Sequence, residues 1–246
     1  MEVFKFTLSG EFAFFKVPNF NYNYLTFTHI PKPTLLGIFG AICGYEGYWY
    51  LDEDIRAIPE YLKAFEGIKI GIVPREFNFY KSLCKFNNSS GTAYNTKKIS
   101  NLITTFQLLE KVSWDIYVKC NNSRAYTTLK NNLMEKRCVY IPYLGNNSYL
   151  ADISGVEVLI GENNDINEFK CESLVETDVI EMKDDDGMLA SLMKLNKTYK
   201  YQLPVKMDDD LLYVYSNFLL TDDFIIIKKG FENRFLHVDN RIVYFY

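Results

Sequence analysis

None of the cysteines in this 246-residue chain stands in CxxC spacing. Cys43, Cys84, Cys120, Cys138 and Cys171 are scattered and odd in number, which argues against a disulfide framework or a zinc site. The N-terminus lacks a basic stretch followed by an apolar one, so no signal peptide is expected. The longest apolar run, Leu35 to Cys43, is far too short to span a bilayer. The chain therefore reads as cytoplasmic with no membrane contact, and the Asn-x-Ser/Thr sequences at Asn88, Asn121 and Asn196 are composition and not glycan acceptors. Walker, GxSxG and HExxH motifs are absent, which removes the common NTPase, hydrolase and metalloprotease signatures. Histidine is nearly missing, with only His29 and His237. Asp184–Asp186 has Leu195 near where a calcium loop needs its last Glu, and Asp208–Asp210 has no His nearby. Both triplets read as solvated turns, and no metal or cofactor is expected. A basic excess is lacking too: 27 Lys and Arg against 31 Asp and Glu leave a net charge of −4. That total counts against a stand-alone nucleic-acid binder, although local patches, not sums, set the contact potential.

Aromatic residues are plentiful at 16%, with 19 Tyr and 19 Phe, which favours strands and leaves flat faces for base stacking. Phe4, Phe6 and Leu8 alternate with Lys5 and Thr7, the period of a half-buried strand over Val3–Ser9, ahead of a Gly-containing turn. Pro33 suits the first position of a helix running to Tyr45, and its glycines imply close packing against other backbone. A short strand is expected over Gly67–Pro74. Residues 77–106 lack a clear period, carry several lysines, and read as a long projecting hairpin or loop. Val112–Cys120 alternates as a strand, Ala125, Leu129 and Leu133 mark a helix over Ser123–Lys136, and Gly155–Ile160 is a further strand. This β–α–β–insertion–β–α–β order predicts an α+β fold: a ferredoxin-like, RNA-recognition-type domain over residues 1–161, with its thumb insertion at about 77–106. A small C-terminal antiparallel β domain is expected over 162–246, with strands at Glu172–Met182, Thr198–Leu203, Phe224–Lys228, Arg234–Val238 and Ile242–Tyr246.

Four islands in order carry a resemblance. Gly10, Phe14 and Lys16 follow the first strand, and Thr26, Pro31, Pro33 and Thr34 approach the first helix, which holds Gly37 and Gly40. Thr104–Val118 stands at the return from the excursion, and Ile141–Ile153 carries Pro-Tyr-Leu-Gly and, later, Leu-Ala. In these features the chain resembles the CRISPR-associated "Cas five" family of the RAMP superfamily, in wording closest to its type I-B branch. The resemblance implies a non-catalytic RNA-binding subunit of a type I surveillance (Cascade) complex. Such a subunit caps the 5′ handle of the guide RNA and contacts the backbone and large subunits. It meets target DNA only through the complex.

That task needs phosphate-neutralising lysines and flat side chains that receive splayed bases. Lys16 and Lys32, with Thr26, Thr34 and the helix start, are the expected phosphate site. The alternative is that both lysines are solvated and Thr34 only caps the helix. Lys81, Lys97 and Lys98, with Gln107 at the base, are the thumb candidates, against a charged surface loop. Phe79, Tyr80 and Tyr94 either stack on bases or stabilise the hairpin. Tyr143 of the Pro-Tyr-Leu-Gly segment and His29 complete the expected RNA contacts. GEFAFFKV differs in spacing and location from the aromatic motif of RNA-recognition domains and is set aside. Some type I-C relatives cut repeat RNA without metal. Tyr22, Tyr24, His29 and Lys32 would be the local set for that alternative activity.

Overall fold

The computed structural model describes residues 1–18, 20, 23–48, 58–90, 100–119, 123–163, 167–182 and 197–246. Its first half runs β1 (Glu2–Ala13), β2 (Asn23–Tyr24), α1 (Lys32–Cys43), α2 (Glu60–Ala64) and β3 (Lys69–Pro74). It continues with β4 (Tyr80–Ser90), β5 (Ser100–Lys119), α3 (Arg124–Met134) and β6 (Asp152–Ile160). These strands make one sheet whose spine is the 20-residue β5. β1 lies between β5 and β6 and is antiparallel to both, from Val3↔Lys119 to Ala13↔Leu109 on one side. On its other edge β5 pairs first with β4, from Ser90↔Ser100 to Tyr80↔Glu110, then with β3, from Pro74↔Trp114 to Lys69↔Lys119.

The alternation in β1 sorts its side chains between two faces. Phe4, Phe6 and Leu8 are wholly buried beneath the helices. The Phe6 ring meets Phe39 of α1 at 6.1 Å and Phe4 meets Tyr126 of α3 at 5.1 Å. Each such ring contributes roughly 1.5–3 kcal/mol by leaving water. The Ser123 hydroxyl caps α3 by accepting the Tyr126 N–H at 3.1 Å, and Ala125, Leu129 and Leu133 form its buried stripe. In α1, Pro33 sits one position later than expected. The helix ends at Cys43, two residues short of the expected end, where Gly44 with φ of +81° gives a left-handed cap. A methyl group at Gly40 would stand 2.7 Å from the Tyr61 Cβ, so that glycine is what lets α2 lie against α1.

The second half continues with β7 (Glu162–Asn163), β8 (Glu168–Lys170), β9 (Val175–Glu176) and β10 (Ile180–Met182). β11 (Thr198–Met207), β12 (Tyr213–Thr221), β13 (Phe224–Ile227), β14 (Phe235–Val238) and β15 (Arg241–Tyr244) follow. They form three small sheets in the orders β10-β13-β8, β11-β12-β9 and β15-β14-β7. The last covers the other face of the main sheet, where Val3, Val73 and Tyr117 pack on Leu236, Val238 and Val243. Charged groups there are paired, while the buried Tyr117 hydroxyl has no hydrogen-bond partner among the described residues. Asp115, nearly buried, accepts from Thr7 at 2.9 Å, Arg75 at 2.8 Å and Arg241 at 3.2 Å, while Lys5 meets Asp239 at 2.6 Å. The largest core cluster runs through both halves, from Phe6 and Ile72 to Phe218, Phe235 and Tyr246.

The architecture is thus mixed α+β, mostly strand, with few helices and several sheets. Three local expectations change. The Gly10 region is not a turn, because β1 continues to Ala13. Glu172–Met182 is not one strand, because a 3-10 turn at Thr177–Val179 separates β9 from β10. α2 and β12 were not expected from the sequence, one because five residues carry no period, the other because its apolar residues fall in two runs of three and do not alternate.

Candidate nucleic-acid interface

The stretch after β1 is held by main-chain ties. Phe14 N–H donates to Leu144 O at 3.0 Å, and Leu144 N–H to Tyr149 O at 2.7 Å. This docks the Pro-Tyr-Leu-Gly segment on the end of β1. Gly145 has φ of +83°, and a Cβ there would stand 1.9 Å from Phe14 O, so no other residue fits. Lys16 and Thr26 form an antiparallel bridge. The Thr26 hydroxyl, almost fully buried, accepts Phe15 N–H at 2.9 Å and donates to Phe27 O at 3.1 Å.

These ties build one wall of a groove of about 750 Å³. A second wall is one face of α1, with Thr34, Gly37, Ile38 and Ala41 at i, i+3, i+4 and i+7. Tyr140, Ile141 and Tyr143 line another side, with Tyr48, Tyr61 and Tyr213 beyond. Tyr48, Tyr140 and Tyr143 remain 46%, 56% and 44% exposed, so their faces are open to a ligand. Tyr61 and Tyr213 are more enclosed, and burial pushes both phenols above the ordinary tyrosine range, which keeps them neutral hydrogen-bonding groups. Lys16 is the cation of the groove and Glu46 its carboxylate. The Lys16 amine stands 4.6 Å from the Tyr24 ring centre, a contact worth about 0.5–2 kcal/mol that aims the charge.

Of the residues expected from sequence, Lys16, Thr34 and Tyr143 come together in this groove. The others do not. Thr26 is structural, and Gln107 Oε1 accepts its N–H at 3.5 Å. Lys81, at the start of β4, donates to the Thr28 hydroxyl at 2.9 Å, and burial lowers its pKa. Lys32 is turned away, its amine donating to Ile68 O at 3.1 Å and Tyr246 O at 2.6 Å, and burial lowers its pKa to about 8. His29 is not a surface loop residue but a core one. Its Nδ1 accepts from the Trp114 indole at 3.4 Å, and Phe79 and Tyr201 stand around the ring at 5.6 Å and 4.6 Å. Burial lowers its pKa to about 3, so it is neutral. Lys97, Lys98, Tyr22 and Tyr94 lie outside the described residues.

The expected excursion is a hairpin. β4 and β5 pair past Ala13↔Leu109, where β1 stops, and nine further residues of β5 make an arm of about 30 Å. Leu83 and Ile103 on it are 70% and 65% exposed, and Tyr80 at its foot is 84% exposed. Phe79 is instead buried against Trp114 at 5.1 Å, which settles it as a hairpin anchor. At the base, Phe106 gathers Phe14, Tyr24 and Phe86 at 5.0–5.2 Å. The groove tyrosines at 48, 61, 140 and 213 escaped sequence reasoning. Their only signal was the high aromatic content, since they come from four separate segments.

No protein-family model matches the chain, and no curated protein does. Solved structures do match. A chain of a CRISPR RNA-guided surveillance complex aligns with a TM-score of 0.52 at 12% identity, over 92% of this chain and 91% of that one. A CRISPR protein from Archaeoglobus fulgidus gives 0.50 at 11% identity, over 99% and 98%. A chain of the type III-B Cmr-β assembly bound to cognate target RNA and AMPPnP gives 0.50 at 9% identity, over 93% and 88%. At these identities the likeness is one of fold, and in its fold the chain is similar to CRISPR-associated proteins along nearly its whole length.

Proposed function

We propose that this chain is a non-catalytic, RNA-binding subunit of a type I CRISPR surveillance complex, of the Cas five kind and nearest its type I-B branch. It caps the 5′ handle of the guide RNA and contacts the backbone and large subunits. Target DNA reaches it only through that complex. The observation that carries the reading is the meeting of Lys16, Thr34 and Tyr143 in one open, tyrosine-lined groove. Open aromatic faces suit unstacked bases, and a lysine held at their rim suits a phosphate between them. The fold similarity to a chain of an RNA-guided surveillance complex and to a chain of an assembly bound to target RNA supports the same reading. So does the order of the main sheet, β3-β5-β1-β6, which is that expected of a ferredoxin-like domain carrying β4 and the start of β5 as its thumb. In this proposal residues 1–161 are that domain and 162–246 a β domain that shares its core. Lys97 and Lys98 act from the thumb.

The test is affinity purification of the tagged chain co-expressed with its genomic neighbours and a repeat array, followed by sequencing of the bound RNA. A discrete guide with a short repeat-derived 5′ handle is expected, with its recovery lowered by Lys16→Glu and Tyr143→Ala together. Protein recovered free of RNA and partner subunits would overturn the assignment.

A further inference from the structure

A second cavity, of about 770 Å³, adjoins the tyrosine groove across Pro33 and Met207, which line both. Its chemistry is different. Among the described residues Lys32, Lys63, Lys69, Lys206 and Arg234 line it, with Tyr246 as its one tyrosine. Its carboxylates are partly occupied. Glu176 is taken by Arg234 and the Tyr244 hydroxyl, and Asp208 Oδ1 accepts the N–H groups of Asp210 and Leu212 at 3.0 Å and 2.8 Å. Exposed Glu66 and Asp209 remain. Lys63, Lys69 and Lys206 are exposed and form no ion pair with any described carboxylate.

Lys69 also stands directly opposite Lys119 in the β3–β5 register. Like charges so placed destabilise a sheet. The strain is felt by both neighbours: after burial, the charge of Lys69 is the next cause lowering the pKa of Lys32 and of Lys119. Among the described lining residues five cations face four carboxylates, and the three exposed lysines that pair with no described carboxylate are held together beside a groove, which fits an anionic ligand.

Resting on the RNA-binding reading above, we infer that the lysine cavity is a phosphate track for the same strand whose bases occupy the tyrosine groove. The strand crosses the ridge made by Pro33 and Met207, so base stacking and phosphate neutralisation are divided between two adjoining cavities.

The division is measurable as salt dependence, because each neutralised phosphate of a single strand contributes about −0.7 to the slope of log K against log[salt]. The probe is a fluorescein-labelled, mixed-sequence single-stranded RNA titrated with the full chain at several NaCl concentrations. The variant Lys63→Ala/Lys69→Ala/Lys206→Ala should flatten the slope by about 2, and the matching Lys→Arg variant should keep it. Tyr140→Ala/Tyr143→Ala should weaken binding about tenfold or more while leaving the slope unchanged. If the tyrosine variant loses binding and the lysine variant keeps the full slope, the track is wrong and the groove reading stands. If the lysine variant keeps RNA affinity and slope but loses a partner subunit on co-purification, the cavity serves an acidic protein segment and the inference is again overturned. If the unaltered chain does not bind the probe, the RNA reading fails and the track with it.

Discussion

Acidification should destabilise this protein through one buried histidine before its carboxylates titrate. His29 is enclosed among Trp114, Phe79 and Tyr201 and has no exposed surface. Burial disfavours the imidazolium, and the pKa falls to about 3 from an ordinary value of about 6.5. The unfolded chain therefore takes up a proton that the folded chain refuses. The contribution is complete above about pH 6.5 and is lost as the pH falls toward 3, at about 1.4 kcal/mol per unit. Between pH 7 and 4.5 the loss from this residue alone is about 3 kcal/mol, a large share of a typical domain stability of roughly 5–15 kcal/mol. Urea unfolding followed by tryptophan fluorescence at both pH values measures it. His29→Asn keeps an acceptor for the indole and removes the titration. The variant will be less stable at pH 7, since the pocket is filled less well, but it should lose about 3 kcal/mol less than the parent on acidification. Equal losses in the two proteins would show that His29 is not held neutral, and the argument from burial would be refuted.

Gly145→Ala should destabilise strongly, by at least about 3 kcal/mol, because the new Cβ meets a main-chain oxygen that cannot rotate away and the positive φ is strained for alanine. A thermal scan checks it, and an unchanged midpoint would mean that the Ile141–Ile153 segment is not docked on Phe14. Asp115→Ala should cost about 3 kcal/mol at neutral pH, since it leaves Arg75 and Arg241 facing a sheet that β14 and β15 cover. Arg75 is half exposed and can rehydrate, so Arg75→Ala should cost much less, and denaturant midpoints of the two variants should keep that order.

Long or strongly periodic segments were legible before any coordinates. β1, α3 and the later part of β5 were read from their apolar spacing, and the start of α1 was read within one residue from its proline. The four-residue strands β13, β14 and β15 were also expected, but β2, β7, β9 and α2 were not, because so few residues hold no period and form only when a neighbour supplies the other half of the pairing. The site was half legible. Lys16, Thr34 and Tyr143 were named, whereas Thr26, His29 and Lys32 look alike in sequence but point their polar atoms into the protein.

Local order and composition by themselves determined that the chain is mixed α+β and strand-rich, that a long insertion precedes Trp114, and that the glycines of the first helix mark a close approach to other backbone. Those properties depend on neighbours along the chain, on side-chain periodicity and on backbone conformation. Which polar groups face solvent was decided only by the tertiary structure. Burial is a property of surfaces that meet from distant segments: Ile68 and Tyr246 close over Lys32, Trp114 and Tyr201 close over His29, and four separate segments bring the tyrosines to one groove.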